Sequence, residues 1–120
     1  MTEEMLDEQT MDEITAEGEI DGQLKEKIVR ALATVEDPEL GIDIVNLGLV
    51  YGIEREKNGD TRVTMTLTAV GCPLAGMIVS LVKEALEDIQ EVNNVEVDII
   101  WDPPWTKERM SRTARIALGM

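Results

Sequence analysis

Thr64-Met65-Thr66-Leu67-Thr68-Ala69-Val70-Gly71-Cys72-Pro73 decides the fold of this chain, because it carries an alternating strand straight into the start of a helix. Met65 and Leu67 share one face with Val63. Thr64, Thr66 and Thr68 line the other, β-branched and polar as suits an exposed or half-covered sheet surface. Pro73 stands where a long apolar-faced helix begins, and proline is favoured there because its missing N–H has no helical partner in any case. Cys72 is then the residue capping that helix, a place usually held by Ser, Thr, Asp or Asn. A thiol among unpaired backbone N–H groups, at the positive end of a helix, is biased towards thiolate. Free cysteines are also among the most buried residues, so position alone leaves a small packed side chain as the alternative.

Downstream, Leu74, Ile78, Leu81, Val82, Ala85, Leu86 and Ile89 share one side of a helix over 73–90. After Asn93-Asn94, Val95, Val97, Ile99 and Trp101 alternate with Glu96 and Asp98 as a third strand, which puts Trp101 in the core set. A strand–helix–strand passage of this length permits a parallel crossover. Upstream, Leu47, Leu49, Tyr51 and Ile53 alternate as a first strand beginning near Leu47 or Leu49. The turn Asn58-Gly59-Asp60 joins it to the second as a hairpin. Before that, Asp21 caps a helix over 23–35 with the stripe Leu24, Ile28, Ala31, Leu32 and Val35. Pro38 stops it and pushes Asp37 towards extended geometry.

Asp102-Pro103-Pro104-Trp105 cannot continue a ladder, since prolines lack the donor. Thr106 then caps a last helix over 107–118, with Met110, Ala114, Ala117 and Leu118 as a weak stripe and Arg109, Arg112 and Arg115 every third residue. The expectation is an α/β (α+β, two-layer) fold: an α-β-β-α-β core with a mixed three-stranded sheet and a C-terminal helix.

At 120 residues the chain has room for one domain. Its net charge of −14 is uneven: residues 1–22 carry nine acids and no base. That divides the chain into an acidic, disordered tail over 1–22 and a domain over 23–120. The tail is either a solubilising leader or a segment that docks on a basic partner. No clustered Lys and Arg serve a phosphate backbone, so nucleic acid is not an expected partner. No apolar run reaches the 18 or so residues of a membrane span. One cysteine and no secretory leader place the chain in the reducing cytoplasm.

Histidine is absent, which removes Cys–His and Ser–His–Asp catalysis and every imidazole metal site. Ser80 and Ser111 both fall inside helices with no base nearby. Redox thiol chemistry wants a second cysteine, and hydrolysis wants a base, so the chain does not read as an enzyme. What remains is an acidic loop, Glu36, Asp37, Glu39 and Asp43, broken by Pro38 and Gly41. Acids so close need solvent, a cation or an arginine. The loop is either part of a site that converges with Cys72 at one end of the sheet or a solvated turn. Trp105, following two prolines, either covers that end or forms a subunit contact.

Three segments together closely resemble one family. Asp37-Pro-Glu-Leu-Gly-Ile-Asp-Ile-Val-Asn-Leu-Gly-Leu-Val-Tyr51, Thr66-Leu-Thr-Ala-Val-Gly-Cys-Pro-Leu74 and Trp101-Asp-Pro-Pro-Trp-Thr-Lys-Glu-Arg-Met-Ser111 are similar to the metal–sulfur cluster assembly factors, the SufT/PaaD-like family once catalogued as a domain of unknown function. The likeness runs from about residue 24 to the end and is greatest to the stand-alone bacterial SufT-like members. The resemblance implies an α/β fold related to cluster-assembly scaffold domains, and an accessory role in iron–sulfur cluster assembly or transfer to apoproteins. The family's reactive cysteine falls on Cys72, its acidic residues on Asp37, Glu39 and Asp43, and its strand-end threonine on Thr68. The aromatic–proline segment falls on Trp101, Pro103, Pro104 and Trp105.

That assigns Cys72 as ligand to iron or a transiently held cluster, with Asp37, Glu39 and Thr68 completing the site. Asp43, Trp101 and Trp105 are support or interface. Clusters usually want four cysteine thiolates, so one chain cannot hold one conventionally. A homodimer, using Trp105 and the last helix as its interface, would bring two. Implied partners are iron–sulfur carrier or scaffold proteins and apoprotein clients. The alternative is a non-catalytic adaptor that docks carrier and client and binds no cluster itself.

Overall fold

The computed structural model describes residues 14–37, 41–67, 75–102 and 104–119. Strand β1 (Thr15–Gly18) is followed by helix α1 (Gly22–Leu32), strands β2 (Val50–Arg55) and β3 (Thr61–Met65), helix α2 (Ala75–Glu87) and strand β4 (Val95–Ile99). A 3₁₀ turn (Lys107–Arg109) and helix α3 (Arg112–Ala117) close the chain. The sheet order is β1-β2-β3-β4, with β1 parallel to β2, β2 antiparallel to β3 and β3 parallel to β4. The two-layer, mixed α/β reading holds, but among the described residues the sheet has four strands rather than three. The additional one, Thr15–Gly18, lies in the stretch assigned to the acidic tail. Its side-chain pattern gave no core signal, because a short edge strand is held by its backbone: Thr15 to Gly18 pair with Gly52 to Arg55. Among the described residues before α1, only Ile14, just ahead of the strand, is buried in the core.

Local chemistry explains the elements. Asp21 caps α1 by accepting from the Leu24 N–H at 2.8 Å, and Leu24, Ile28, Val29 and Leu32 are its buried residues. The helix ends at Leu32, three residues short of the expected limit, in a turn where the Thr34 hydroxyl donates to Ala31 O. The β2–β3 hairpin closes through Gly59 at φ +94 and the Asn58 side chain on Asp60 N. Ile53, Val63 and Met65 face the helices and are closed from solvent, while Glu54 and Arg62 lie on the open face. Tyr51 is an extra residue in β2, since Val50 pairs with Met65 and Gly52 with Thr64.

The first strand starts at Val50, later than the Leu47–Ile53 alternation suggests. Leu47 and Leu49 are fully buried, but in a tight loop whose N–H groups bond locally: Leu47 N to Asp43 O and Leu49 N to Ile44 O. The last helix also starts late. Its cap is Ser111, not Thr106, with the Ser111 Oγ accepting from Ala114 N. Trp101 is 41% exposed, a correction to its place in the core set: it follows an edge strand whose apolar row is only half covered. Thr66 departs the other way. It shares a face with half-covered Thr64, yet is wholly buried, and its hydroxyl has no hydrogen-bond partner.

Candidate functional site

Strand directions bring one set of connections together. β1 and β2 begin, and β3 and β4 finish, at the same end of the sheet. The connection 33–49 reaches this end to start β2. Thr66 and Leu67 leave it towards the segment that carries Cys72, and α2 resumes the described chain at Ala75. The tie is direct: Thr66 N donates to Leu49 O at 2.8 Å, and Ile100 N donates to Met65 O at 2.9 Å. Thr68, Cys72, Glu39 and Pro103 themselves lie outside the described residues.

The acidic loop is folded on its own backbone. Ile44 N donates to Val35 O, Asp37 N to Ile42 O and Gly41 N to Asp37 O, while Glu36 and Asp43 form an antiparallel bridge. Gly41 has φ +70, the left-handed geometry that favours glycine. The described acids of this loop do not form one solvated cluster. Asp37 is buried at 6% exposure and Glu36 is exposed. Asp43, also buried, is turned onto Asn46: one carboxyl oxygen accepts from Asn46 N at 2.9 Å and the other from Asn46 Nδ2 at 2.8 Å. Asp43 therefore shapes the loop. Among the described residues, no three metal-capable side chains converge.

The same loop holds the C-terminal segment. Asn46 Oδ1 accepts from the Ser111 hydroxyl at 2.6 Å, and Asn46 O accepts from Ser111 N at 2.7 Å. Asp43, Asn46 and Ser111 thus form a relay that ends at the α3 N-terminus. Trp105 Nε1 donates to Leu47 O at 2.7 Å, so this side chain is engaged within its own chain. Arg109 donates from Nε to Gly48 O at 3.3 Å, and its guanidinium lies 4.0 Å from the centre of the Tyr51 ring. Gly48, at φ +76, is required here: a Cβ would sit 2.2 Å from Arg109 O. Met110 and Ala114, from the weak stripe of the helix expected at a dimer interface, are buried in this protein's own core.

Sequence reasoning missed Asn46, Gly48, Tyr51, Arg109 and Ser111 as a unit. Asp43-x-x-Asn46 was the available signal, since an Asp that bonds the N–H three residues on is a capping pattern. Its partner Ser111 lies 65 residues away, beyond any local pattern.

The fold is a small helix-on-sheet domain in which the acidic loop and the exit of β3 meet at one sheet end. The family follows from comparison. Residues 25–99 match the family model described as iron–sulfur cluster assembly protein, and the chain belongs to that family. It is 60% identical over 97 residues to the Fe-S protein maturation auxiliary factor YitW of Bacillus subtilis (strain 168), covering 81% of this chain and 95% of that protein. It is 56% identical over 86 residues to the Fe-S protein maturation auxiliary factor SufT of Staphylococcus aureus (strain USA300), covering 72% and 98%. A crystal structure of a domain of unknown function, DUF59, from Bacillus anthracis superposes with a TM-score of 0.75 at 55% identity, covering 79% of this chain and 91% of that one.

Proposed function

We propose that this protein is an accessory factor in iron–sulfur protein maturation, handling iron or a cluster as transient cargo and catalysing no reaction. The observation that carries the reading is convergence. The described chain leaves for Cys72 at the sheet end where the Asp37 loop closes, in a family whose relatives are named for Fe-S maturation. Cys72 is the thiolate ligand in this reading, with Asp37, Glu39 and Thr68 completing the site; a cargo held by few thiolates is easily passed on. A two-fold pair would double the thiolates. Ile116, 69% exposed on α3, offers apolar surface for such a contact. A reducing compartment such as the cytoplasm suits this chemistry, and no described helix is long and apolar enough to cross a membrane.

Anaerobically purified protein mixed with ferric iron and sulfide, or with a loaded carrier, should develop charge-transfer absorption and a Mössbauer signature of bound iron. Cys72→Ser should lose both while keeping its circular dichroism. Undiminished uptake by that variant would remove Cys72 as ligand. The second reading, an adaptor without cargo, rests on exposed Trp101, in place of Trp105. It expects partner capture that survives Cys72→Ser and weakens with Trp101→Ala.

A further inference from the structure

Strand β4 is an edge of the sheet, and the direction of its backbone follows from two bonds. Asn94 O accepts from Thr61 N, and Ile100 N donates to Met65 O. Along a strand the residues turned towards a parallel neighbour alternate. Asn94, Glu96, Asp98 and Ile100 therefore face β3, while Val95, Val97 and Ile99 turn their N–H and C=O groups outward. No further strand lies there among the described residues.

The side chains give this edge two distinct faces. Val95, Val97 and Ile99 pack against the core but stay half covered, unlike the closed Val63 and Met65 beside them, and exposed Trp101 follows. On the other face Glu96 and Asp98 are exposed, with Asp102 just beyond. Arg62, which pairs with Glu96 at 3.3 Å, is the only base in the row Glu17, Glu54, Arg62, Glu96 across the sheet.

Charge decides the occupant. A second copy pairing antiparallel about Val97 would set each Glu96 opposite an Asp98, and like charges directly opposite are destabilising. Residues 1–13 of this chain carry six acids and no base, so they are repelled as well. We propose that β4 takes up a fifth strand from a partner protein: an extended segment in which Lys or Arg alternates with aliphatic residues. The open backbone groups bind its main chain, Glu96 and Asp98 meet its cations, and its aliphatic row completes the cover over Val95, Val97 and Ile99. Read with the maturation role, this edge is where a carrier or client docks. The test needs no cargo, so its failure leaves the Cys72 assignment standing.

The full ¹⁵N-labelled chain is titrated at low salt with acetyl-Lys-Val-Lys-Val-Lys-Val-amide and, separately, with the corresponding Glu-Val peptide. The lysine peptide at saturation should slow amide exchange of Val95, Val97 and Ile99 about tenfold through the new hydrogen bonds. Glu96→Lys with Asp98→Lys should weaken its binding about tenfold and shift preference to the Glu-Val peptide. Val97→Pro removes an outward N–H alone; it should abolish binding while Glu96 and Asp98 amides stay protected by β3. Unchanged exchange at the three edge amides overturns the proposal, as does equal binding of both peptides or a response confined to Glu54 and Thr64 on the open sheet face.

Discussion

Asn46→Ala cuts the relay between the acidic loop and the C-terminal segment at its middle. Asn46 is wholly buried; its amide donates to the Asp43 carboxyl at 2.8 Å and accepts from the Ser111 hydroxyl at 2.6 Å. A bond to a carboxylate contributes about 1.5–3 kcal/mol, and one between neutral groups about 0.5–1.5. The Asp43 bond to Asn46 N survives truncation, and Ser111 can still cap α3, which limits the damage. The expected cost is about 2–4 kcal/mol in the midpoint of urea unfolding, with the m-value unchanged. Because the bond is shared, Ser111→Ala should cost less in the Asn46→Ala background than alone, with a coupling of about 1 kcal/mol. A loss under about 1 kcal/mol, or simple additivity, would show that the relay holds nothing together.

Asn46→Asp sharpens the test. It sets a second carboxyl against Asp43, and two such groups in contact share a proton at neutral pH. The folded pair then binds more protons than the unfolded chain. Its stability is retained below the ordinary carboxylate pKa and lost as pH rises through the raised one. The deficit relative to wild type should widen between about pH 4 and pH 8. A pH-independent deficit would mean that the two carboxyls do not meet.

Trp105→Ala should cost about 3–5 kcal/mol, since it removes a large packed side chain and strands Leu47 O, whereas Trp101→Ala, on an exposed side chain, should stay within about 1 kcal/mol. Equal costs in thermal unfolding would contradict the assignment of these two residues. Thr66→Val, which replaces a buried hydroxyl without a partner by a methyl group, should raise stability by about 1 kcal/mol, and a loss would point to a bond made by that hydroxyl. Glu91 is held below the ordinary glutamate pKa, chiefly by its hydrogen bond from the Lys27 ammonium at 3.1 Å. This contribution is present above the ordinary pKa and lost as pH falls through the lowered one. Lys27→Met should move the Glu91 titration upward in an NMR pH series, and an unmoved curve refutes the pairing.

Where side-chain periodicity and turn residues act locally, the fold was legible. Val63 and Met65, the Asn58-Gly59-Asp60 turn and the stripe of α1 each follow from neighbours within a few residues. Legibility stopped where a backbone alone makes the element. Thr15–Gly18 has no apolar alternation, yet pairs along β2 because Gly52 lets Thr15 approach: its Cβ would lie 3.2 Å from Thr15 Oγ1. Leu47 failed for the converse reason, since its alternation with Leu49 reflects burial in a loop that satisfies its own N–H groups. Of the relay through Asp43, the acid itself stood out in the sequence, but its partners did not. Asn46 and Ser111 meet only when the C-terminal segment has docked, and no pattern within either segment encodes the other.

That docking alters what the aromatic–proline segment is for. Trp105, Arg109 and Ser111 use the carbonyl or side-chain oxygens of Leu47, Gly48 and Asn46, three consecutive residues of the loop that also carries Asp43. The segment therefore fixes the loop that runs into β2, next to the strand end where Thr66 bonds to Leu49. It leaves Trp101, Glu96 and Asp98, along the β4 edge, free of that duty. In the two proposed roles these features meet different demands: a cargo ligand would need its supporting side chains held in place, whereas a partner would need exposed donors and acceptors. The Trp105 and Trp101 substitutions separate the two. The first should loosen the loop and lower stability together, and the second should leave both intact while weakening capture of a strand partner.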